Sequence, residues 1–335
     1  MTHRIFIDGA AGTTGLEIAD RLKDRSEFEL IALDDAQRKD TAARREALNE
    51  ADVAILCLPD DAAREAVELV DPANGTRIID ASSAHRTAEG WCYGFPELVG
   101  RERVANARRV SNPGCYPTGF LALMAPLTAP IQAIKSPTNP EPLGDPTTIL
   151  PVDWAYCVNA VSGYSGGGRS LIDRFETDGS IAFRSYGLRL GHKHLDEMQK
   201  YARLKWPPVF SPSVVSTFRG MIVDIPISLE AMGLQHPMAL QSELEMWYDF
   251  DHEIVRVHPM LETPVELVLE NDAQPWDGID LYVCADDGVT RNSSKQVRLV
   301  AKLDNLGKGA SGAAVQNLNL MCGLPATAGL RLTPA

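Results

Sequence analysis

Ile5-Phe6-Ile7-Asp8-Gly9-Ala10-Ala11-Gly12-Thr13-Thr14-Gly15-Leu16 is the stretch from which the fold of this chain is read. A short apolar run ends in a glycine-rich turn, and Leu16, Ala19 and Leu22 then recur at helical spacing. Glycines there let the backbone turn tightly and approach a pyrophosphate, which helix N-terminal N–H groups can hold. The spacing is G-x-x-G-x-x-G, not the dinucleotide G-x-G-x-x-G, so another phosphate, or none, stays open beside a nucleotide. Outward from this turn lie three more apolar runs, Leu30–Leu33, Val53–Leu58 (stopped by Pro59) and Arg77–Asp80, with helical patterns between them. Short apolar runs alternating with helices predict a parallel sheet covered on both faces, a Rossmann-type doubly wound α/β domain.

After about residue 150 the texture changes. Strand patterns are predicted at 154–161, 214–218, 221–227, 254–257, 265–269, 279–285 and 297–303, with helices near 194–205 and 236–249. This predicts a second, α+β domain with a mixed or antiparallel sheet. A last helical pattern runs from Ser311 to Met321, with Ala314, Val315, Leu318 and Met321 on one face and Gly323 and Pro325 as a stop. The Pro- and Gly-rich segment from Pro130 to Pro151 reads as a loop or linker.

Composition bounds the function. The chain has 335 residues, 44% of them apolar and 23% charged, enough for about two globular domains. A net charge of −13 argues against general nucleic-acid binding and requires any anion site to be a local pocket of donors. No apolar run approaches the ~20 residues of a membrane span, and no secretory signal is visible. The six cysteines (57, 92, 115, 157, 284, 322) form no C-x-x-C pair and read as reduced thiols of a cytoplasmic protein.

The most specific motif is Ser111-Asn112-Pro113-Gly114-Cys115-Tyr116-Pro117-Thr118. Pro113-Gly114 makes a turn and Pro117 suits a first helical position, which sets Cys115 at a helix N-terminus. The partial positive charge there favours the thiolate, the form a nucleophile needs. Gly191-His192-Lys193-His194 precedes a helix beginning near His194, where a histidine stays a neutral base. Glu197 either orients a histidine or caps that helix. Ser162-Gly163-Tyr164-Ser165-Gly166-Gly167-Gly168-Arg169 offers N–H groups, hydroxyls and a guanidinium, a local anion nest. Lys308-Gly309-Ala310-Ser311-Gly312 is expected to hold another anion or the nicotinamide ribose, or simply to start a helix. Asp34 and Asp35 end the second strand, where an acid accepts from a ribose 2′-hydroxyl; Arg38 or Lys39 just beyond would instead pair with a 2′-phosphate.

Four of these segments, 111–118, 162–169, 191–195 and 308–317, together resemble the N-acetyl-gamma-glutamyl-phosphate reductases in their shorter, type 2 form. The resemblance runs in order from about residue 4 to residue 325. It implies a fold like that of glyceraldehyde-3-phosphate and aspartate-semialdehyde dehydrogenases. There the last helix returns to the nucleotide domain, giving domains 1–115 with 305–335, and 116–304. It implies an NADP-dependent, cytoplasmic, homo-oligomeric (dimer or tetramer) enzyme of arginine biosynthesis that uses no metal. That enzyme reduces N-acetyl-gamma-glutamyl phosphate to the semialdehyde and phosphate through a thioester on Cys115.

By the same resemblance His192 is the general acid/base and Glu197 orients a histidine. Asn112 joins the donors around the oxyanion, and Arg169, Tyr186, Lys193 and His194 grip the substrate. The cofactor falls to Gly9, Gly12, Thr13, Thr14, Gly15, Arg38, Pro59, Ser82, Gly163, Gly166 and Asn317. Asp196 stands where the family has Pro, a charge expected to raise the pKa of the histidines. Three rivals are weighed: a semialdehyde dehydrogenase for aspartyl phosphate, a non-catalytic nucleotide sensor, and a cofactor-free cysteine hydrolase.

Overall fold

The apolar runs of the first third become parallel strands because their alternate side chains are buried on both faces. In the computed structural model, which describes residues 2–130, 148–250, 252–285 and 295–333, they are β1 (His3–Asp8), β2 (Phe28–Ile31), β3 (Val53–Leu56) and β4 (Arg77–Asp80). Two short strands, β5 (Cys92–Tyr93) and β6 (Arg109–Ser111), complete an all-parallel sheet of order β2-β1-β3-β4-β6-β5. Strand order reverses between β1 and β3. A crevice opens at the carboxyl ends of the strands at such a point, where ligands of α/β sheets bind.

Helices α1 (Thr13–Leu22), α2 (Thr41–Glu50), α3 (Asp60–Leu69), α4 (Pro96–Val99) and α5 (Arg101–Asn106) connect these strands. Asp40 caps α2 by accepting from Ala42 N and Ala43 N. The glycines of the first turn are there for space. A Cβ at Gly9 would lie 2.3 Å from Cys57 O, at a φ of +87°, and one at Gly15 would lie 2.5 Å from Gly9 O.

Helix α6 (Cys115–Leu127) leaves β6 and is buried along almost its whole length against the second sheet. That sheet is mixed, in the order β11-β12-β13-β10-β7-β9-β8. Its strands are β7 (Cys157–Gly163), β8 (Phe183–Ser185), β9 (Val209–Val215), β10 (Met221–Ser228), β11 (Val255–His258), β12 (Ile279–Ala285) and β13 (Gln296–Leu303). Helices α7 (Arg169–Thr177), α8 (Leu195–Tyr201) and α9 (Met238–Tyr248) accompany it. A π-turn, Gly307–Ser311, leads into α10 (Gly312–Met321). Ala314, Val315, Leu318 and Met321 of α10 share one buried cluster with Ile5, Ile7, Ile18 and Leu22, so the last helix packs on the first sheet.

Two expectations are corrected. The strand predicted at 265–269 does not form: no strand pairs with it, and Val265 and Val268 are exposed. The strand predicted at 214–218 runs instead from Val209 to Val215, through Pro212, between β7 and β8. Most of the Pro-rich 130–151 segment lies outside the described residues.

Candidate active site

The carboxyl ends of β1, β3, β4 and β6 face the second sheet across a cleft of about 630 Å³. From the first lobe come Gly12, Thr13 and Thr14, then Arg86, Asn112 and Cys115. From the second come Gly163, Gly166, Arg169, Arg184, Tyr186, His192, Lys193 and His194. Segments 100 residues and more apart in sequence therefore meet around one thiol.

Helix α1 begins with no side-chain cap, and its first intrahelical bond is Leu16 N to Gly12 O at 2.8 Å. Its leading N–H groups face the cleft, the arrangement that receives a pyrophosphate. The wall opposite is the 162–168 nest. There Asn305 donates to Ser165 Oγ at 2.9 Å and accepts from Gly220 N at 2.9 Å. A Cβ at Gly163 would lie 2.6 Å from Phe218 O.

Cys115 is the first residue of α6, as its motif predicts, but its thiol is not a ready thiolate. Burial pushes it above the ordinary thiol range, against the pull of the Arg86 charge, a hydrogen bond from the Tyr116 N–H and the Lys193 charge; Glu197 adds to the rise. The expectation drawn from the helix N-terminus alone is overturned, because desolvation disfavours the charged form. Beside the thiol, Arg86 is 6% exposed. It donates to Glu197 Oε1 at 2.7 Å and Asn112 O at 3.0 Å.

Glu197 does not orient a histidine. Its second oxygen accepts from the Tyr93 hydroxyl at 2.9 Å and from Gly114 N at 3.2 Å. The carboxylate is needed there to balance the buried guanidinium. His194 stands close by, since a Cβ at Gly114 would lie 2.6 Å from Arg86 Nη1 and 2.7 Å from both Glu197 Oε1 and His194 Nε2.

His192 is neutral, its pKa lowered to about 4 by burial first and then by Lys193 and Arg86. His194 is held well below its ordinary value by burial first, then by Arg86, His192 and Lys193. Asp196 is exposed and contributes to neither, so the rise expected from it does not occur. The His192 Nδ1 accepts the N–H of His194 at 3.2 Å, which leaves the ring proton on Nε2.

Several expected cofactor residues lie off the cleft lining. Gly9 and Gly15 shape the turn behind it. Ser82 donates to Asp80 Oδ2 at 2.8 Å, and Pro59 starts α3. Arg38 pairs with Asp35 at 3.0 Å near the end of β2. Asn317 is buried and donates to Asn112 Oδ1 and Gly94 O at 3.0 Å each. Lys308, expected at an anion, is buried in an ion pair with Glu97. Arg169 lines the cleft but is largely exposed and pairs with Asp173 at 2.8 Å. The sequence reading missed Arg86, Tyr93, Arg184 and Asn305. For Arg86 a signal existed: it follows β4 of a parallel sheet, on the side where ligands bind. Among the described residues no cluster of His, Cys, Asp or Glu suits a metal, and no helix is long and apolar enough to cross a membrane.

The chain is similar to known proteins over nearly its whole length. Residues 4–107 match the family described as semialdehyde dehydrogenase, NAD binding domain, which assigns a nicotinamide dinucleotide to the first lobe. Residues 146–305 match semialdehyde dehydrogenase, dimerisation domain. The chain is 44% identical to N-acetyl-gamma-glutamyl-phosphate reductase 2 of Nostoc sp., covering 98% of this chain and 99% of the relative. It is also 44% identical to the N-acetyl-gamma-glutamyl-phosphate reductase of Brucella ovis, covering 96% and 100%. Among solved structures, aspartate semialdehyde dehydrogenase II from Vibrio cholerae superposes with a TM-score of 0.63 at 18% identity, covering 96% of this chain and 98% of that one. A probable aspartate-semialdehyde dehydrogenase from Pseudomonas aeruginosa does so with a TM-score of 0.65 at 17% identity, over 96% and 98%. These neighbours share the fold. With near-complete coverage at 44% identity, the chain belongs to the N-acetyl-gamma-glutamyl-phosphate reductase family, within the semialdehyde dehydrogenase fold.

Proposed function

We propose that the chain reduces N-acetyl-gamma-glutamyl phosphate to N-acetylglutamate 5-semialdehyde and phosphate, with NADPH as reductant, in arginine biosynthesis. The observation that carries this reading is the meeting of the Cys115 thiol, neutral His192 and an uncapped glycine-turn helix in one cleft. The Cys115 sulfur attacks the acyl carbon, the C–O bond to phosphate breaks, and a thioester forms on Cys115. His192 takes the thiol proton, for which its ring gives up the long bond from His194 N–H. The resulting imidazolium donates to the oxygen that gains charge at the thioester carbon, takes the proton back as the C–S bond breaks and returns it to the Cys115 sulfur, while the expelled phosphate takes its proton from solvent. When bound, the reduced nicotinamide supplies the hydride to that carbon. Asn112 and the N–H groups that open α6 are assigned to the oxyanion, a kind of contact worth roughly 3–4 kcal/mol per donor.

Gly12, Thr13 and Thr14 with Gly163 and Gly166 are assigned to the dinucleotide. Lys193, His194, Tyr186 and Arg169 are assigned to substrate carboxylate and phosphate, to which Arg184 is added because it lines the same wall. The preference for NADP is supported at β2. Asp34 spends one carboxylate oxygen on Ala36 N at 2.9 Å and Gln37 N at 2.8 Å, and Arg38, which donates to Leu33 O and pairs with Asp35, is assigned to a 2′-phosphate. The nucleotide domain is taken as 1–115 with 305–335 and the catalytic domain as 116–304. The match to a dimerisation domain supports a homo-oligomer, dimer or tetramer. Six unbonded cysteines suit a reducing compartment such as the cytoplasm.

The test is turnover in the reverse direction with N-acetylglutamate semialdehyde, phosphate and either nicotinamide cofactor. Reduction of NADP in preference to NAD is expected. Faster turnover of aspartate semialdehyde would overturn the substrate assignment, and no turnover with either aldehyde would overturn the reaction.

A further inference from the structure

Lys308, Glu97 and Gln316 form a buried cluster that lines no part of the cleft. Lys308 is 1% exposed. Its ammonium donates to both Glu97 oxygens at 2.9 Å and to Gln316 Oε1, and it lies 5.1 Å from the centroid of the Phe95 ring. Gln316 Nε2 closes the triangle by donating to Glu97 Oε1 at 2.7 Å. All three ammonium protons are used inside the protein, so none is left for a ligand.

Lys308 belongs to the π-turn Gly307–Ser311. Such turns are rare and recur at functional sites. This one is pressed against the nucleophile: a Cβ at Gly309 would lie 2.9 Å from the Cys115 Cβ. Ala310 O accepts from Asn112 Nδ2 at 2.9 Å, and Asn112 Oδ1 is held by Asn317 Nδ2, which also reaches Gly94 O. Tyr93 in turn holds Glu197. The segment 93–97 thus reaches the surroundings of Cys115 by three routes, through Tyr93, Gly94 and Glu97.

We propose that Lys308, Glu97 and Gln316 are positioning residues that set where the π-turn stands against Cys115 and Asn112. Apolar side chains of like volume would fill the same space without loss of stability, since a buried ion pair is often no more stabilising than its hydrophobic replacement. Apolar contact, however, is non-directional. Three N–H···O bonds from one buried ammonium fix the rotation of the turn, and with it the approach of the sulfur to an acyl carbon. Only the turnover part of the test rests on the proposed reductase activity.

The test compares wild type with the triple variant Glu97→Met, Lys308→Met, Gln316→Met and with the isosteric Glu97→Gln. Three quantities are measured: the thermal midpoint, the pH profile of iodoacetamide alkylation followed on the Cys115 peptide, and reverse-direction kcat and KM. A thermal midpoint close to wild type is expected for the triple variant, with kcat lower by about tenfold or more, KM for the cofactor unchanged and a displaced alkylation profile. Glu97→Gln moves both catalytic readouts the same way by less. A folded triple variant with wild-type kcat and alkylation profile overturns the proposal. If the triple variant does not fold, Glu97→Gln decides by the same criterion. If neither folds, the cluster serves stability alone and the proposal fails. Absence of turnover in the wild type would strike the reductase reading and leave the alkylation comparison intact.

Discussion

Two helices begin at the cleft with nearly the same backbone and opposite surroundings. Gly12 precedes α1 at φ −78°, ψ 161°, and Gly114 precedes α6 at φ −73°, ψ 152°; neither helix has a side-chain cap. Around Gly12 the space is free, a Cβ there meeting nothing closer than 3.4 Å. Around Gly114 the protein has supplied its own anion, Glu197, and has balanced it with Arg86. One terminus is open to the cleft, and the other is filled beside Cys115. The same local geometry therefore does not foretell the same electrostatics. At α1 the helix end faces open space, whereas at α6 burial, with Glu197 adding to it, raises the Cys115 thiol against the pull of Arg86.

The comparison breaks most completely at the sulfur. Cys115→Ser is expected to lower turnover by roughly 10⁴-fold or more while cofactor binding, read by NADPH fluorescence, persists. Loss of both together would show that the two helix ends do not work independently. Arg86→Met comes next. It leaves Glu197 buried without its counter-charge, at a cost of about 3–5 kcal/mol in denaturant unfolding. It also slows Cys115 alkylation at a given pH, because the charge that lowers the thiol pKa is gone. Unchanged alkylation would mean that Arg86 is structural only.

Alanine at the two glycines sharpens the contrast. Gly114→Ala drives a methyl into Arg86, Glu197 and His194 and is expected to cost about 10²-fold in kcat. Gly12→Ala fits the fold and is expected to raise KM for the cofactor several-fold with kcat nearly kept. Equal losses in kcat would erase the distinction.

The smallest effect is on stability. The folded chain keeps His192 neutral down to about pH 4, whereas the unfolded chain protonates it near 6.5. Stability therefore falls as pH drops from about 6.5 to about 4, and the part owed to this ring is present above that window. His192→Asn should reduce the slope of the thermal midpoint against pH across it, leaving the part owed to His194; an unchanged slope would assign the acid loss elsewhere.

Reading residue by residue shows where legibility stopped. Ile279–Ala285 is found as a strand with the ends its sequence pattern predicts. Alternation and apolar runs report burial directly, and the glycine turn and the Cys115 motif are contiguous, so chain order alone exposes them. Val265–Leu269 is an apolar-rich run of the same kind and is no strand, because a strand exists only where a neighbour pairs with it.

Local chemistry written in neighbouring residues was thus legible along the chain: a parallel sheet, a glycine turn before α1, a cysteine at a helix start. The state of that cysteine was decided by packing. Arg86 and Glu197 stand 111 residues apart and Tyr93 and Glu197 104 apart. No pattern along the chain pairs them. The charges of Arg86 and Glu197 matter at Cys115 because the thiol is buried beside them, and desolvation is a property of the assembled volume, not of any segment.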